Sequence, residues 1–515
     1  MQQPPVIWSV AGTDSGGGAG LSADQRAADA LGVHLCPVVA AVTAQNSLAV
    51  TRVEALPVDL LDAQFAALAS DMPPLALKTG LLGGVDQVRC VARWVDRLRE
   101  RAPLTLVVDP VLGASTGAPF ADAAVLDAYR ECLLPRATLV TPNRREATRL
   151  LGPAASGLDV PAQAQALQAL GTQAVCITGG DHPLDGQRAI DWMATPHASG
   201  WLSGGRVDTP HQHGTGCTFA TAAAAALARG FVAADALVLA KMATEHALRL
   251  GRAAGQGAGP VRAAPGFAAH TEVPLLSWGV EPVFHGTSAR PEAQPLGLYA
   301  IADSSAQLRA ALAAGVRTLQ LRIKTPEVPT PAWRQALAQA IAEAVAACAR
   351  VGARLYVNDH WALAHRLGAP GVHLGQEDLL ALGEDGRAAL RASGLRLGVS
   401  SHSLWELARA RALAPDYLAC GPVWPTLTKA MPWRPQGLDN LAWWSARAGC
   451  PVVAIGGILA AGQVTQAAQA GASGVCVVRA LGSDPASAVP PLAAALAAAG
   501  TQARRAVPDL PTPSL

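Results

Sequence analysis

The sequence predicts an α/β protein of two domains, an open and mostly parallel sheet flanked by helices followed by a (β/α)8 barrel. Three observations predict it. The chain has 515 residues, more than one ordinary core holds. Short apolar runs alternate with helix-like stretches along its whole length. The alternation fails once, over 251–295, where glycine, alanine and proline dominate and periodic apolar runs are sparse. The expected division is therefore a first domain at 1–265, a linker at 266–295, a barrel at 296–500 and a disordered tail at 501–515.

In the first half, strands are expected at 6–11, 37–43, 75–80, 104–109, 138–141 and 174–178, spaced for crossover helices between parallel neighbours. In the second half, strands are expected at 298–302, 318–324, 354–359, 371–375, 396–401, 416–421, 452–456 and 474–478. Eight strand–helix units in about two hundred residues is the arithmetic of a TIM barrel, whose site lies at the C-terminal ends of the strands. Polar residues gather at those ends: Gln320, Arg322 and Lys324; Asn358 and Asp359; His373 and Asp378; Ser400 and Ser401; Thr426, Thr428 and Lys429; Gly456 and Gly457.

Composition excludes several classes. Half of the residues are apolar and 15% are charged, a globular balance. A net charge of +2 supplies no broad basic face for nucleic acid. The 9 cysteines form no C-x-x-C pair, so free thiols in a reducing cytoplasm are expected rather than zinc or disulfides. The start of the chain lacks the basic, apolar pattern of a signal peptide. The most apolar stretch, 218–248, is interrupted by Arg229, Asp235, Lys241 and Glu245 and reads as a buried helix pair, not a membrane span. The expected partners are small molecules and a second copy of the chain.

Two segments of the first half suit phosphate chemistry. AGTDSGGGAG (11–20) directly follows a strand, and its glycines permit sharp turns and close backbone approach. It lacks the G-K-[ST] ending of a P-loop, and a purely structural turn would look similar. HGTGCT (213–218) opens a long Ala-rich helix, where the N–H groups of Gly214, Thr215 and Gly216 form an anion site and the Cys217 thiol pKa is expected to fall. A simple glycine cap with a small buried cysteine fits as well. Asp109 and Glu146 each follow a strand and suit Mg²⁺, although either could be an ordinary helix cap.

In the second half, Gln320, Arg322 and Lys324 alternate and are expected to share one face of a strand, pointing two cations and an amide into the barrel mouth. Asp359 and Asp378, at neighbouring strand ends, could converge on one Mg²⁺. GPVWPTLTK (421–429) supplies two hydroxyls and an ammonium, and AIGGI (454–458) places glycines late in the barrel, where phosphate sites recur.

Taken together, AGTDSGGGAG, ADQR, VTAQNS, KTGLL, VDPV, TPN..EA and HGTGCT resemble the hydroxymethylpyrimidine/phosphomethylpyrimidine kinase family, over roughly 6–261. The resemblance implies a ribokinase-like three-layer fold and ATP-dependent phosphorylation of a pyrimidine alcohol and then of its monophosphate. It implies that Gln45 bonds the aminopyrimidine, that Gly12 and Asp24 line the same pocket, and that Thr178, Gly179 and Thr215 meet the nucleotide. Cys217 would stand where sugar-kinase relatives carry a catalytic aspartate, as base or as neighbour of the reacting hydroxyl. Two positions depart from the family: Thr178 replaces a lysine before the Gly-Gly pair, and Ser115 lies in a loop that usually holds one.

From 298 to about 481, QLRIK, VNDH, GVHLGQED, GVSSHS, GPVWPTLTK, MPWRPQGL and VVAIGGI resemble thiamine-phosphate synthase, in that family's order. The resemblance implies that Arg322, Lys324, Asn358, Ser400 and Lys429 hold pyrophosphate and that Asp359 and Asp378 ligate Mg²⁺. It implies that Gln320 and His373 face the pyrimidine, Thr426 and Thr428 the thiazole, and Gly456 and Gly457 the thiazole phosphate. Ile323 and Arg479 depart from the pattern. The implied whole is a bifunctional enzyme of thiamine biosynthesis with ATP as co-substrate. The alternatives are a pyridoxal-type kinase or a non-catalytic precursor sensor in the first half and a thiazole tautomerase in the second. Relatives of the pyridoxal type carry aspartate where Cys217 stands, and a tautomerase needs neither the paired carboxylates nor the pyrophosphate lysine.

Overall fold

The computed structural model describes residues 3–113, 120–180, 188–285, 295–426 and 432–515. The chain divides into two compact units, 1–282 and 283–515.

The first unit is built on a ten-stranded sheet. Its strands are β1 (Val6–Asp14), β2 (His34–Gln45), β3 (Val50–Ala55), β4 (Ala76–Thr79), β5 (Thr105–Val108), β6 (Leu139–Val140), β7 (Val175–Ile177), β8 (Arg188–Ala194), β9 (Ser199–Gly205) and β10 (Leu275–Leu276), in the order β10-β9-β8-β7-β6-β5-β4-β1-β2-β3. The six central strands, β2 to β7 across the sheet, run parallel, as right-handed crossovers require. The sheet order changes direction at β1, and the ligand crevice of an open parallel sheet lies at such a point, at the C-terminal strand ends. Helices complete a three-layer domain. The expected apolar helix pair is present as Thr215–Ala228 and Ala233–Arg249. Alanines 222–226 are wholly buried, because small side chains let this helix lie close to both the sheet and its partner helix.

Four strands were not expected. β3, β8, β9 and β10 are the antiparallel additions at the two edges. They carry charges and glycines (VTRVEA, RAIDWMA, SGWLSGG), which blur the apolar period of two. β10 lies inside the expected linker, as does the short helix Phe267–His270. The sheet therefore claims residues that composition alone assigns to a connection.

The second unit is a closed barrel of eight parallel strands: β11 (Gly297–Ala302), β12 (Thr318–Leu321), β13 (Arg354–Asn358), β14 (Gly371–Leu374), β15 (Arg396–Ser401), β16 (Tyr417–Cys420), β17 (Val452–Ala454) and β18 (Gly474–Val477). Pairing of β11 with β18 closes it. Each expected strand is found, but β12 ends at Leu321, so Arg322 and Lys324 lie in the loop beyond and do not continue a strand face. Tyr299, Ile301, Tyr356, Tyr417, Val453 and Cys476 pack the barrel interior. It is a filled core and not a pore.

The tail expected to be disordered is seated on the barrel. Asn440 donates to the Thr512 carbonyl and accepts from its N–H (2.9 and 2.7 Å), Arg434 N–H donates to the Ser514 carbonyl (2.8 Å), and Arg505 pairs with Asp439 (2.7 Å). Its prolines suit an extended segment held by side chains, and composition does not separate that state from disorder.

Candidate active sites

In the first unit, a cavity of about 1070 Å³ opens at the C-terminal ends of the central strands. Gly12, Gln45, Asp109, Glu146, Thr178, Gly214, Thr215, Gly216 and Cys217 all line it. The Gly-rich loop after β1 closes on its own anion. Asp14 accepts the N–H groups of Gly16 (2.8 Å), Gly18 (2.9 Å) and Ala19 (2.8 Å) and pairs with His213 Nε2 (2.9 Å). Burial opposes the charge of Asp14, but His213 and these N–H groups outweigh it and hold the carboxyl below its usual range. The loop amides are thus spent on Asp14. The phosphate-facing donors left are at the start of helix Thr215–Ala228, where the Thr215 N–H already donates to the Gln212 carbonyl (3.3 Å) and the N–H groups of Gly216 and Cys217 have no intrahelical acceptor. Gly214 caps that helix at φ 85°, and a Cβ there would sit 2.2 Å from the Gly18 carbonyl oxygen. Only glycine brings the two loops together.

Two predicted residues are not in the cavity wall. Asp24 is completely buried beneath it, held by Lys78 (3.0 and 3.1 Å), Ser9 (2.6 Å) and Thr221 (2.7 Å). The family resemblance implied a place in the pocket, but the Lys78 ammonium draws Asp24 into the floor. Gly179 is also buried. Its N–H donates to Asp191 (3.0 Å), and a Cβ there would meet the Ile190 carbonyl oxygen at 2.3 Å, so its role is close packing.

The Cys217 expectation is reversed. Burial pushes the thiol up to about 12; Lys78 opposes this, while Asp24 and Asp109 reinforce it. A helix N-terminus cannot offset loss of water around a thiolate with two carboxylates nearby. Asp109 is buried 3.7 Å from Lys78, its Oδ2 has no hydrogen-bond partner, and burial pushes its carboxyl up to about 6 against the pull of Lys78. Glu146 accepts the Asn143 N–H (2.9 Å) in a capping box, the alternative that its position after a strand allowed.

Sequence reasoning missed Asp14, His213 and Lys78. His213 Nε2 also lies 3.1 Å from Gln45 Nε2, so one imidazole ties the Gly-rich loop to the residue expected to read the pyrimidine. Asp191 and Lys241 (2.6 Å apart) form a further buried pair in the cavity wall. A lysine in a run otherwise reading as a buried strand, and a histidine opening a Gly-rich helix start, were the available signals.

At the barrel mouth, Gln320, Asn358, His373 and Ser400 come together. Gln320 Nε2 donates to Asn358 Oδ1 (2.6 Å), and His373 Nε2 meets Ser400 Oγ (2.8 Å). Two buried tyrosines join the pairs: Tyr299 donates to Gln320 Oε1 (3.2 Å), Tyr417 meets Tyr299 (2.7 Å), and His373 Nδ1 meets Tyr417 (2.7 Å). Burial, with the charges of Arg322 and His402, pushes His373 down to about 4 and keeps it neutral. The Asp359 carboxyl is raised by burial and by the facing charge of Asp378, with Arg322, His360 and Asn358 opposing. Asp359 adopts φ 63°, a costly conformation for a side chain outside glycine, and Asp378 accepts the Gly375 N–H (3.0 Å). Two carboxylates at neighbouring strand ends suit a shared divalent cation. Lys324 and Arg479 are exposed; Arg322, Thr426, Gly456 and Gly457 are half-buried. Gly456 and Gly457 have positive φ, and a Cβ on either would come within 2.6 Å of Pro422 or Trp424. Ser115, Thr428 and Lys429 lie outside the described residues.

No helix among the described residues is long and apolar enough to cross a membrane. Residues 14–262 match the phosphomethylpyrimidine kinase family and residues 294–481 match the thiamine monophosphate synthase family. A probable thiamine biosynthetic bifunctional enzyme of Oryza sativa is 34% identical over 495 residues, covering 93% of this chain and 86% of that protein. The corresponding Arabidopsis thaliana enzyme is 33% identical over 495 residues, covering 93% and 90%. A hydroxymethylpyrimidine/phosphomethylpyrimidine kinase of Synechococcus elongatus is 41% identical over 260 residues, covering 50% of this chain and 96% of that protein. With two family matches in series and full-length relatives of the same design, the chain belongs to the bifunctional thiamine-biosynthetic enzymes that join a pyrimidine kinase to a thiamine-phosphate synthase.

Proposed function

We propose that the two sites described above carry out the two activities, with ATP as phosphoryl donor in the first and a divalent cation, Mg²⁺, serving both. In the kinase cavity, Gln45 and Gly12 receive the aminopyrimidine, and the N-terminus of helix Thr215–Ala228 faces the transferring phosphoryl group. Developing charge there is met by N–H groups fixed before the reaction begins, the arrangement that lowers a phosphoryl-transfer barrier. Asp109, buried and with no hydrogen bond at Oδ2 beyond the 3.7 Å approach of Lys78, is the better-placed metal ligand of the expected pair, since Glu146 already caps a helix. With its thiol pushed up to about 12, Cys217 acts as a neighbour of the reacting hydroxyl and not as its base.

In the barrel, Arg322, Lys324, Asn358 and Lys429 hold the diphosphate, with Ser400 at the edge of the same pocket. Asp359 and Asp378 would hold Mg²⁺, which supplies charge neutralisation. The bond from the pyrimidine methylene carbon to the diphosphate oxygen breaks with its electron pair on oxygen. The thiazole nitrogen then gives its lone pair to that carbon, yielding thiamine monophosphate and pyrophosphate. No strong base is required, which agrees with a neutral His373 beside the pyrimidine position. The observation that carries this reading is the convergence of Gln320, Asn358, His373 and Ser400 from four successive strands onto one polar layer. The free state of all nine cysteines supports a reducing cytoplasmic setting.

The decisive experiment supplies ATP, Mg²⁺, hydroxymethylpyrimidine and thiazole phosphate and assays thiamine monophosphate; its absence sinks the reading. Lys324→Ala or Asp359→Ala is expected to slow coupling about a hundredfold, corresponding to ~3 kcal/mol of lost charge stabilisation, while pyrimidine phosphorylation continues. Parallel loss of both activities would contradict separate sites.

A further inference from the structure

Six inward-facing side chains on six strands of the barrel form a single hydrogen-bonded chain: Ser400, His373, Tyr417, Tyr299, Gln320 and Asn358. Three of the four tyrosines of the whole sequence, Tyr299, Tyr356 and Tyr417, are fully packed inside this barrel. Two of them carry the middle of the chain.

The chain has a direction, and its chemistry fixes it. It ends on Asn358, whose side-chain oxygen faces Gln320. Gln320 then donates from Nε2 to that oxygen, which leaves its Oε1 to accept from Tyr299. A phenol has one proton. With the Tyr299 proton committed to Gln320, the Tyr299–Tyr417 bond is made by the Tyr417 proton. Tyr417 can only accept from His373, so the proton of the neutral imidazole sits on Nδ1, and Nε2 accepts from the Ser400 hydroxyl.

We propose that Tyr299 and Tyr417 are positioning residues that pass the polarity of the Gln320–Asn358 pair across the barrel, fixing the Gln320 amide with its oxygen toward Tyr299 and fixing His373 in the Nδ1–H tautomer. The second N–H of Gln320 is then available to an acceptor such as a ring nitrogen of a pyrimidine, while its oxygen is tied to Tyr299. The proposal deepens the reading of this mouth as the synthase site and rests on that reading only for the identity of the ligand.

The test is the protonation pattern of His373 in the full-length protein labelled with ¹⁵N-histidine, recorded near pH 8, where even an unperturbed imidazole is neutral. The His373→Gln spectrum identifies the signal among the 12 histidines. Wild type is expected to show Nδ1–H. Tyr299→Phe, which removes an oxygen that does not touch His373, frees the Tyr417 proton to point at Nδ1 and is expected to invert the tautomer to Nε2–H. Tyr417→Phe is expected to give the same inversion by removing the acceptor itself. A role confined to packing would leave the tautomer unchanged, because phenylalanine keeps the ring. In coupling assays, Tyr299→Phe is expected to raise KM for the pyrimidine diphosphate about tenfold with a smaller effect on kcat, roughly the loss of one oriented hydrogen bond. Nε2–H in wild type, or an unchanged tautomer in Tyr299→Phe, would overturn the proposal. An inverted tautomer in a protein whose wild type makes no thiamine monophosphate would leave the relay standing and refute the substrate.

Discussion

At the scale of single residues, two buried ionisable groups have consequences that can be measured. Lys78 and Asp24 are both at 0% exposure, and Asp24 uses its oxygens on Lys78, Ser9 and Thr221. Breaking a buried pair leaves one charge without compensation, which costs roughly 3–5 kcal/mol, whereas removing both partners costs much less. Lys78→Met is therefore expected to lower the unfolding free energy of the first unit, read by urea titration, by that order, and the double change with Asp24→Asn to recover part of the loss; equal stabilities for the single variant and wild type would show that the pair contributes nothing. His373 gives a pH dependence. Burial depresses its folded pKa to about 4 against an unfolded value of about 6.5. Between these values the unfolded chain binds a proton that the folded barrel refuses, so stability is full above pH 6.5 and is lost as the pH falls toward 4. The loss from this group is ~2 kcal/mol by pH 5, and His373→Gln is expected to flatten that part of the profile in urea unfolding at pH 7 and pH 5. An identical pH profile in the variant would mean that His373 is protonated inside the barrel.

At the scale of elements, the tail supplies a sharp expectation. Asn440 is 2% exposed and gives both ends of its amide to Thr512. Removing residues 503–515 would leave that amide short of partners in a dry setting, at a cost of about 1–3 kcal/mol. The barrel should therefore unfold at lower urea in the truncated chain, and the truncation should cost less in an Asn440→Ala background, since the Asn440–Thr512 share is already gone while Arg434–Ser514 and Arg505–Asp439 remain to be lost. Additive losses would place the stabilisation elsewhere. The same elements show what is legible in a sequence. All eight barrel strands could be located, because strands buried on both faces read as continuous apolar runs. The edge strands β8 and β9 could not, since Asp191 and Ser203 in them are buried polar residues satisfied by partners distant in the chain, Lys241 and Arg188. Polar residues at the candidate sites were legible where they stand near or just past the C-terminal end of a strand, as with Gln320, Asn358 and Asp109. Lys78, Tyr299 and Tyr417 were not: each sits within a strand as an apparent core residue, and only the fold brings its polar atom to a partner. The Cys217 expectation failed for a related reason, because a helix terminus is visible in sequence and the burial around it is not.

At the scale of the whole molecule, each unit completes its own strand pairing. β10 pairs with β9 at the end of the first sheet, and β11 pairs with β18 to close the barrel. A closed barrel has no free edge, and its last helix, Pro485–Ala499, packs back on its first strand and helix. Among the described residues neither sheet contains a strand of the other unit, so the covalent link is not needed for either to bury its core. Two polypeptides, 1–282 and 295–515, are accordingly expected to fold when expressed together. Each should retain its own activity, pyrimidine phosphorylation in the first and coupling in the second, and the mixture should make thiamine monophosphate from hydroxymethylpyrimidine. The informative quantity is the lag before product appears. Two independent sites sharing a freely diffusing intermediate give a lag that shortens as the concentration of the second polypeptide rises, and at matched concentrations the same lag as the intact chain. A shorter lag in the intact chain would show that fusion itself speeds transfer of the pyrimidine diphosphate. Failure of either polypeptide to fold alone would show that its core depends on the other unit.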